Sequence, residues 1–157
     1  MANLTGRTQI FAGSTSIIDT TLKHPLGTRA FDEDGNEYIY LTGVASTVAG
    51  SWVVFDEAHL TTRTVANALG RVGVAMAAIV ASSYGWYQIY GKNTVALTVG
   101  DVADNAKVWV TATAGTVDDT DVATDLVAGA IFRAARTGAG AVTVELNYPI
   151  CLNEVYN

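Results

Sequence analysis

Few residues in this chain could carry catalytic or metal chemistry. It contains two histidines, His24 and His59, and one cysteine, Cys151. Nucleophilic catalysis needs a histidine beside an activated serine or cysteine, and neither serine cluster of the chain lies in a G-x-S-x-G turn. One cysteine cannot form an internal disulfide, and zinc sites need more ligands than these. We predict no catalytic residue and no enzyme, with a small hydrolase using His59 and Asp56 or Glu57 as a minor alternative.

Two acidic runs could offer oxygen ligands to Ca²⁺. An EF-hand loop needs glycine at its sixth position and glutamate at its twelfth. The run that begins at Asp32 has Glu37 and Gly43 there, and the run that begins at Asp119 has Thr124 and Ala130. Both runs are therefore predicted to be solvated turns, and an irregular cation site stays open as the alternative. No metal site and no cofactor is predicted, since the chain also lacks a phosphate-binding loop.

The amino-acid composition disfavours two classes of binding partner, nucleic acids and membranes. Of the 157 residues only 15% are charged and 50% are hydrophobic, and the net charge is −6. Average domains carry about 25% charged residues, so the surface of this protein is expected to be largely neutral. A negative chain does not neutralise phosphates, which disfavours nucleic acid. The longest apolar run is about half of what spans a bilayer, and the first residues lack the apolar run of a signal peptide, so no membrane partner is predicted.

The pattern that would position any site is all-β. Over residues 26–157, short β-like runs alternate with Gly- or Asp-rich turns, which is typical of a small β-barrel or sandwich in one domain. Asp34-Gly35 predicts a hairpin with a two-residue primed turn, because this turn needs positive φ. The apolar run Val72–Ala81 predicts a core strand, and the segment Tyr84–Gly91 predicts a strand of alternating faces.

One short helix is predicted at most. Apolar residues between Thr61 and Leu69 fall at helical spacing, and Gly70 could end the segment. The first 25 residues show neither strand nor helix periodicity. We predict that residues 1–25 form an extended N-terminal arm, which cannot bury much surface by itself and therefore lies on a neighbouring subunit or partner.

Aromatic residues are the remaining feature of the sequence. They could simply fill a small β-core. Alternatively, some could anchor a subunit interface, where aromatic residues are enriched and charged ones depleted. The predicted interface consists of apolar residues of the arm and aromatic residues of one strand: Phe11, Ile17, Ile18, Tyr84, Trp86, Tyr87 and Tyr90.

Three stretches of the chain carry a family resemblance. They are GRVGVAMAAI at 70–79, YGWYQIYG at 84–91, and LGTR at 26–29 followed by the Asp34-Gly35 hairpin and the strand at 38–40. In these stretches the chain resembles the capsid decoration (cement, or head-stabilising) proteins of tailed bacteriophages. The resemblance extends from about Leu26 to Val110, and the remainder matches only in composition.

The resemblance implies a β-rich, β-tulip-like domain that binds the outer surface of the phage capsid. It implies a structural virion protein, made in the host cytoplasm, that bridges neighbouring major capsid subunits and stabilises the expanded head. The expected partners are the major capsid protein and two further copies of the chain, as a homotrimer. A negative net charge agrees with a position outside the DNA-filled shell.

The main alternative function is adhesion. A head- or tail-fibre module that binds carbohydrate would use exposed aromatic side chains as stacking surfaces for sugar rings. For this chain the predicted stacking residues are Trp86 or Tyr87.

Overall fold

The computed structural model describes residues 13–153, and this part of the chain is all-β. Over residues 13–153 there is no helix, and hence none that is long and apolar enough to cross a membrane. The predicted all-β class is confirmed. The eleven strands are β1 (Ile18–Asp19), β2 (Arg29–Phe31), β3 (Glu37–Thr42), β4 (Trp52–Phe55), β5 (Thr61–Arg63), β6 (Gly70–Ala75), β7 (Tyr84–Thr98), β8 (Lys107–Val110), β9 (Val117–Asp118), β10 (Leu126–Phe132) and β11 (Gly140–Cys151).

All strands belong to one mixed sheet with β7 at its centre. The order along the sheet is β2-β3-β7-β9-β8-β10-β11-β6-β4-β5, and β7 also pairs with β1, β6 and β11. Within residues 13–153, only the contact between β7 and β9 is parallel. Because a single strand of 15 residues contacts five others, the sheet folds over on itself in a sandwich-like arrangement.

The alternating sides of β3 and β7 face two different cores. Tyr87 and Ile89 pack with Ile39 and Leu41 in one core, whereas Trp86 packs on the other side in a smaller cluster. The largest core is built mainly by β6, β8, β10 and β11. Each fully buried large apolar side chain contributes roughly 1.5–3 kcal/mol, so these two strands are stabilised on both faces.

The hairpin between β2 and β3 is present, but its turn differs from the prediction. Phe31 pairs with Glu37, so five residues connect the strands instead of two. Gly35 has a φ of +81°, as expected for the glycine of the pair. The Asp32 carboxylate accepts hydrogen bonds from the backbone amides of Asp34 and Asn36, at 3.0 and 2.9 Å. These side-chain bonds favour the wider loop over a primed turn.

The helix predicted between Thr61 and Leu69 is absent, and the prediction was wrong. Residues 61–63 form β5, which pairs with β4. The chain then turns at Asn67, whose φ is +63°. The backbone N–H of Asn67 donates a hydrogen bond to Oδ1 of Asp125 at 2.5 Å. Pairing with β4 and the hydrogen bond to Asp125 therefore stabilise the extended conformation more than the weak local pattern stabilises a helix.

The apolar run Val72–Ala81 is a strand only in its first part. Strand β6 ends at Ala75, and residues 76–83 form a loop. The loop still contributes Ala77 and Ile79 to the core around Tyr87. The prediction of burial therefore holds for these residues, while the predicted length of the strand was wrong.

Residues 13–25 of the predicted arm lie on their own domain. Strand β1 pairs with the start of β7, through Ile18 and Gly85. The Tyr40 hydroxyl donates to Asp19 Oδ2 at 2.6 Å, and the His24 ring lies 5.1 Å from the Tyr40 ring. Burial, and then the neighbouring Asp19, raises the pKa of Tyr40 to about 12. The location of residues 1–12 lies outside the described residues.

Candidate functional site

The predicted interface residues divide into an exposed group and a buried group. Ile17 and Ile18 are 48% and 42% exposed, and their segment runs beside the half-buried Tyr84 at the start of β7. Leu22, in the same segment, is 54% exposed. We call Ile17, Ile18 and Leu22 the N-terminal apolar patch. Phe11 lies outside the described residues.

Trp86 and Tyr87 are both covered by the chain itself. The Trp86 ring lies 5.1 Å from Tyr40 and 5.4 Å from His24, beneath the N-terminal segment. Tyr87 is fully buried and its hydroxyl donates to the carbonyl of Thr42 at 3.1 Å. Burial raises the pKa of Tyr87. Neither ring therefore presents a face to a partner or a sugar, because both sides of β7 are covered at this point.

Tyr90 is exposed and forms an aromatic pair that the sequence did not indicate. It lies six residues beyond Tyr84, about 20 Å away at the usual rise of a strand. Its ring centroid is 5.2 Å from that of Tyr148, with a tilt of 31° between the planes. The two side chains are 40% and 51% exposed. We call Tyr90 and Tyr148 the tyrosine pair.

Tyr148 is held in an unusual backbone conformation. Its φ is +48°, which is rare for a bulky side chain and marks a strained position. The hydroxyl donates to Oε2 of the buried Glu37 at 2.6 Å, while Arg29 contacts Oε1 of the same carboxylate at 2.6 Å. The hydrogen bond to Glu37, followed by burial, raises the pKa of Tyr148. The buried Glu37 carboxylate, paired with the partly exposed Arg29, thus fixes the ring at the surface.

The opposite strand provides the space for this bend. Along β10, Ala128 pairs with Ile150 and Ala130 with Leu146, so Gly129 alone faces three residues of β11. A Cβ atom on Gly129 would lie 2.6 Å from the carbonyl oxygen of Asn147. Only glycine fits there, and the bulge turns Tyr148 outward.

A buried polar network positions Tyr90 at a bend of β7. Gln88 is buried, and its amide nitrogen donates to the carbonyls of Tyr90 and Lys92 at 3.0 and 3.1 Å. Its amide oxygen accepts from Asn93 at 2.9 Å. Between the two carbonyls, Gly91 has a φ of +94°. Since every polar group of Gln88 is satisfied, the bend is stabilised from inside the fold.

An open groove of about 540 Å³ extends from Tyr90 across β7 and β11 to Arg133, which follows the end of β10. Polar side chains and charged side chains of both signs line it. Arg133 Nε contacts Glu145 Oε2 at 2.8 Å, and both side chains are substantially exposed. In the register of the sheet, Tyr90 lies opposite Asn147 and Lys92 opposite Glu145. We call this surface the Tyr90 groove: Tyr90, Lys92, Arg133, Thr143, Glu145 and Asn147.

The histidines and acidic residues have structural contacts. Asp56 Oδ1 accepts hydrogen bonds from the backbone amides of Ala58 and Leu60, both at 2.9 Å, and so organises its own loop. The His59 ring packs over Gly27, where a Cβ atom would lie 2.4 Å from Nε2. Across residues 13–153, no three His, Cys, Asp or Glu side chains meet as potential metal ligands.

Tyr148, Glu37 and Arg29 were missed because their contact joins the β2–β3 hairpin to β11, more than a hundred residues further along the chain. The sequence does contain one signal, the proline at 149, because proline within a strand marks an edge or a bulge. That signal indicates a distortion, but not the direction in which the preceding tyrosine points.

Comparison of the chain with protein-family models, with curated protein sequences and with solved structures gave no match. Functional conclusions for this chain therefore depend on its own residues.

Proposed function

We propose that this chain is a structural virion protein that binds the outer surface of a phage capsid. In this proposal it bridges neighbouring major capsid subunits, as a homotrimer, and stabilises the expanded head. The observation that carries the proposal is the N-terminal apolar patch, in which three large apolar side chains are exposed on a segment that only a two-residue strand pairs to the sheet. Such a surface is available for burial against a partner.

Apolar side chains that stay exposed to water carry a free-energy cost that burial against a partner removes. Fully burying one Ile or Leu side chain contributes roughly 1.5–3 kcal/mol, so the patch supplies useful affinity only when a partner covers it. A subunit that contacts several shell subunits at once gains further affinity through avidity. If it binds the expanded shell better than the unexpanded one, mass action stabilises the expanded form.

Charge supports the same assignment. With 15 Asp and Glu residues against 9 Lys and Arg residues, the chain is repelled by packaged DNA, which favours the outer surface over the interior. The low charge content also limits the desolvation cost of a broad contact. Catalysis has no part in this proposal.

The first test is the number of copies of this chain per major capsid protein in purified particles, measured by quantitative mass spectrometry. A decoration protein is expected near one to one, and particles that lack it should release DNA at a lower temperature. A handful of copies per particle would instead favour a fibre component. Complete absence from particles, or an unchanged temperature of DNA release, would overturn the proposal.

A second test addresses the patch directly. The variant Ile17→Asp/Leu22→Asp places two charges in the N-terminal apolar patch, outside β1, and should abolish rebinding to stripped particles. The matched control is Val99→Asp, which changes an exposed valine beyond the opposite end of β7. Equal rebinding of the double variant and the control would show that the patch is not the contact surface.

A further inference from the structure

The Tyr90 groove has the features of a ligand-binding surface that attachment to a shell does not require. It lies about 20 Å along β7 from the N-terminal apolar patch, at the usual rise of a strand. Its volume, about 540 Å³, is within the usual range of small-molecule sites. Its floor consists of paired strands, so the groove is preformed.

The chemistry of the groove favours a ligand rich in hydroxyl groups. Lys92 and Arg133 are hydrogen-bond donors, Glu145 is an acceptor, and Asn147 is both. Within residues 13–153, the side chains of Lys92 and Asn147 make no hydrogen bond, and Glu145 uses only Oε2. A hydroxyl group donates and accepts, so it can satisfy a mixed set of this kind.

Tyr90 lines one end of the groove, and Tyr148, just outside the groove lining, extends this aromatic surface through its contact with the Tyr90 ring. Tyrosine presents a flat ring that can pack against the C–H face of a sugar ring while its hydroxyl stays polar. Both residues are positioned before a ligand arrives: the Gln88 side chain fixes the backbone at Tyr90, the Tyr90 ring contacts that of Tyr148, and the Tyr148 hydroxyl is bonded to Glu37. This pre-organisation lowers the entropic cost of binding.

Other ligand classes fit the groove less well. Nucleic acids are disfavoured by the net charge of −6, and a phosphate would meet only Lys92 as an unpaired cation among the lining residues, because Arg133 is already paired with Glu145. The core of a protein interface is depleted in lysine and glutamate, whereas Lys92 and Glu145 lie opposite each other across this groove. We therefore propose that the Tyr90 groove binds a neutral glycan, with one sugar ring packed on the tyrosine pair and its hydroxyl groups bonded to Lys92, Glu145 and Asn147.

This inference goes beyond the proposed attachment to a capsid and does not depend on it. It also differs from the sequence-based adhesion alternative, which used Trp86 or Tyr87 as stacking residues. A protein could carry the N-terminal apolar patch for one partner and the Tyr90 groove for another.

The test uses the full-length chain, fluorescently labelled, on a microarray that carries neutral and acidic glycans. Binding to at least one neutral glycan is expected, followed by affinity measurement by titration calorimetry. Tyr90→Ala should weaken the affinity by about tenfold or more, as for other aromatic anchors, and Tyr90→Phe should retain most of it. Lys92→Ala should also weaken binding, although the exposed lysine does not support the fold.

Matched controls separate loss of binding from loss of structure. Leu69→Ala removes an exposed apolar side chain outside the groove, and Lys23→Ala removes an exposed lysine outside it. Both should bind like the unaltered chain. Binding to no glycan, binding to acidic glycans only, or equal affinity of Lys92→Ala and Lys23→Ala would overturn the proposal. Rebinding of Tyr90→Ala to stripped particles should be unaffected. The glycan proposal can therefore fail while the capsid proposal stands, and the reverse is also true.

Discussion

Gly91 gives the sharpest test of the geometry that builds the groove. Its φ of +94° lies where side chains are strained, and an added Cβ would lie 2.1 Å from Oδ1 of Asn36. That same oxygen accepts a hydrogen bond from the Lys92 amide at 2.9 Å, and Asp32 holds Asn36 in place. Gly91→Ala therefore forces the hairpin loop away from β7.

The expected loss of stability combines two contributions. An L-residue in the left-handed region costs about 1–2 kcal/mol, and the loss of the hydrogen bond between Lys92 and Asn36 costs about 1 kcal/mol more. Gly91→Ala should thus lower the free energy of unfolding by about 2–3 kcal/mol. With a urea dependence of about 1.5–2 kcal/mol per molar, the midpoint falls by roughly 1–2 M.

Two other glycines serve as controls. Gly138 has a φ of +76° but open space around its Cβ position, so Gly138→Ala should show only the backbone cost of about 1–2 kcal/mol. Gly100 has neither constraint, and Gly100→Ala should be neutral or slightly stabilising.

The assay is urea unfolding followed by tryptophan fluorescence at a fixed protein concentration. All three tryptophans, Trp52, Trp86 and Trp109, are buried, so unfolding should shift their emission to longer wavelength. The reasoning fails if Gly91→Ala loses no more stability than Gly138→Ala, because the close approach of Asn36 would then cost nothing.

Three further predictions concern single side chains. Tyr148→Phe removes a hydrogen bond to the buried Glu37 and should lower the free energy of unfolding in urea by about 1–2 kcal/mol. An unchanged unfolding midpoint would show that this hydrogen bond does not stabilise the fold. Burial raises the pKa of Cys151 to about 12, so iodoacetamide should label this thiol only in denaturant, and rapid labelling of the folded chain would refute the assignment. Burial opposes ionisation of Asp32, but hydrogen bonds from Asn36 and other groups outweigh it and lower the pKa below 3.8. Asp32→Asn should therefore destabilise at neutral pH, with the difference disappearing as the pH falls through that lowered pKa; a difference that persists in strong acid would show that the charge is not the cause.

Strand prediction from the sequence succeeded where local chemistry and tertiary contacts agree. The strand predicted at residues 38–40 is part of β3, and the strand predicted over 84–91 is the first half of β7. Strand β7 continues beyond Gly91 to Thr98. It is continuous because the Gln88 side chain bridges the bend at Gly91, a contact that no local pattern encodes.

The aromatic residues show a different limit of sequence analysis. Alternation correctly separated Trp86 from Tyr87, which face different cores. It did not reveal that both faces are covered, because the cover over Trp86 comes from His24 and Tyr40. Burial of a strand face depends on which distant segments pack against it, and periodicity reports only that the two faces differ.

The sequence by itself determined the all-β class, the positions of most strands and the scarcity of charged and catalytic side chains, because these follow from composition and from the two-residue period of a strand. Tertiary structure alone decided which aromatic rings are exposed. Tyr148 reaches the surface beside Tyr90 because Gly129 leaves room for a bulge and the buried Glu37 accepts a hydrogen bond from the Tyr148 hydroxyl. These contacts join residues 37, 90, 129 and 148, and such long-range pairings have no local signature.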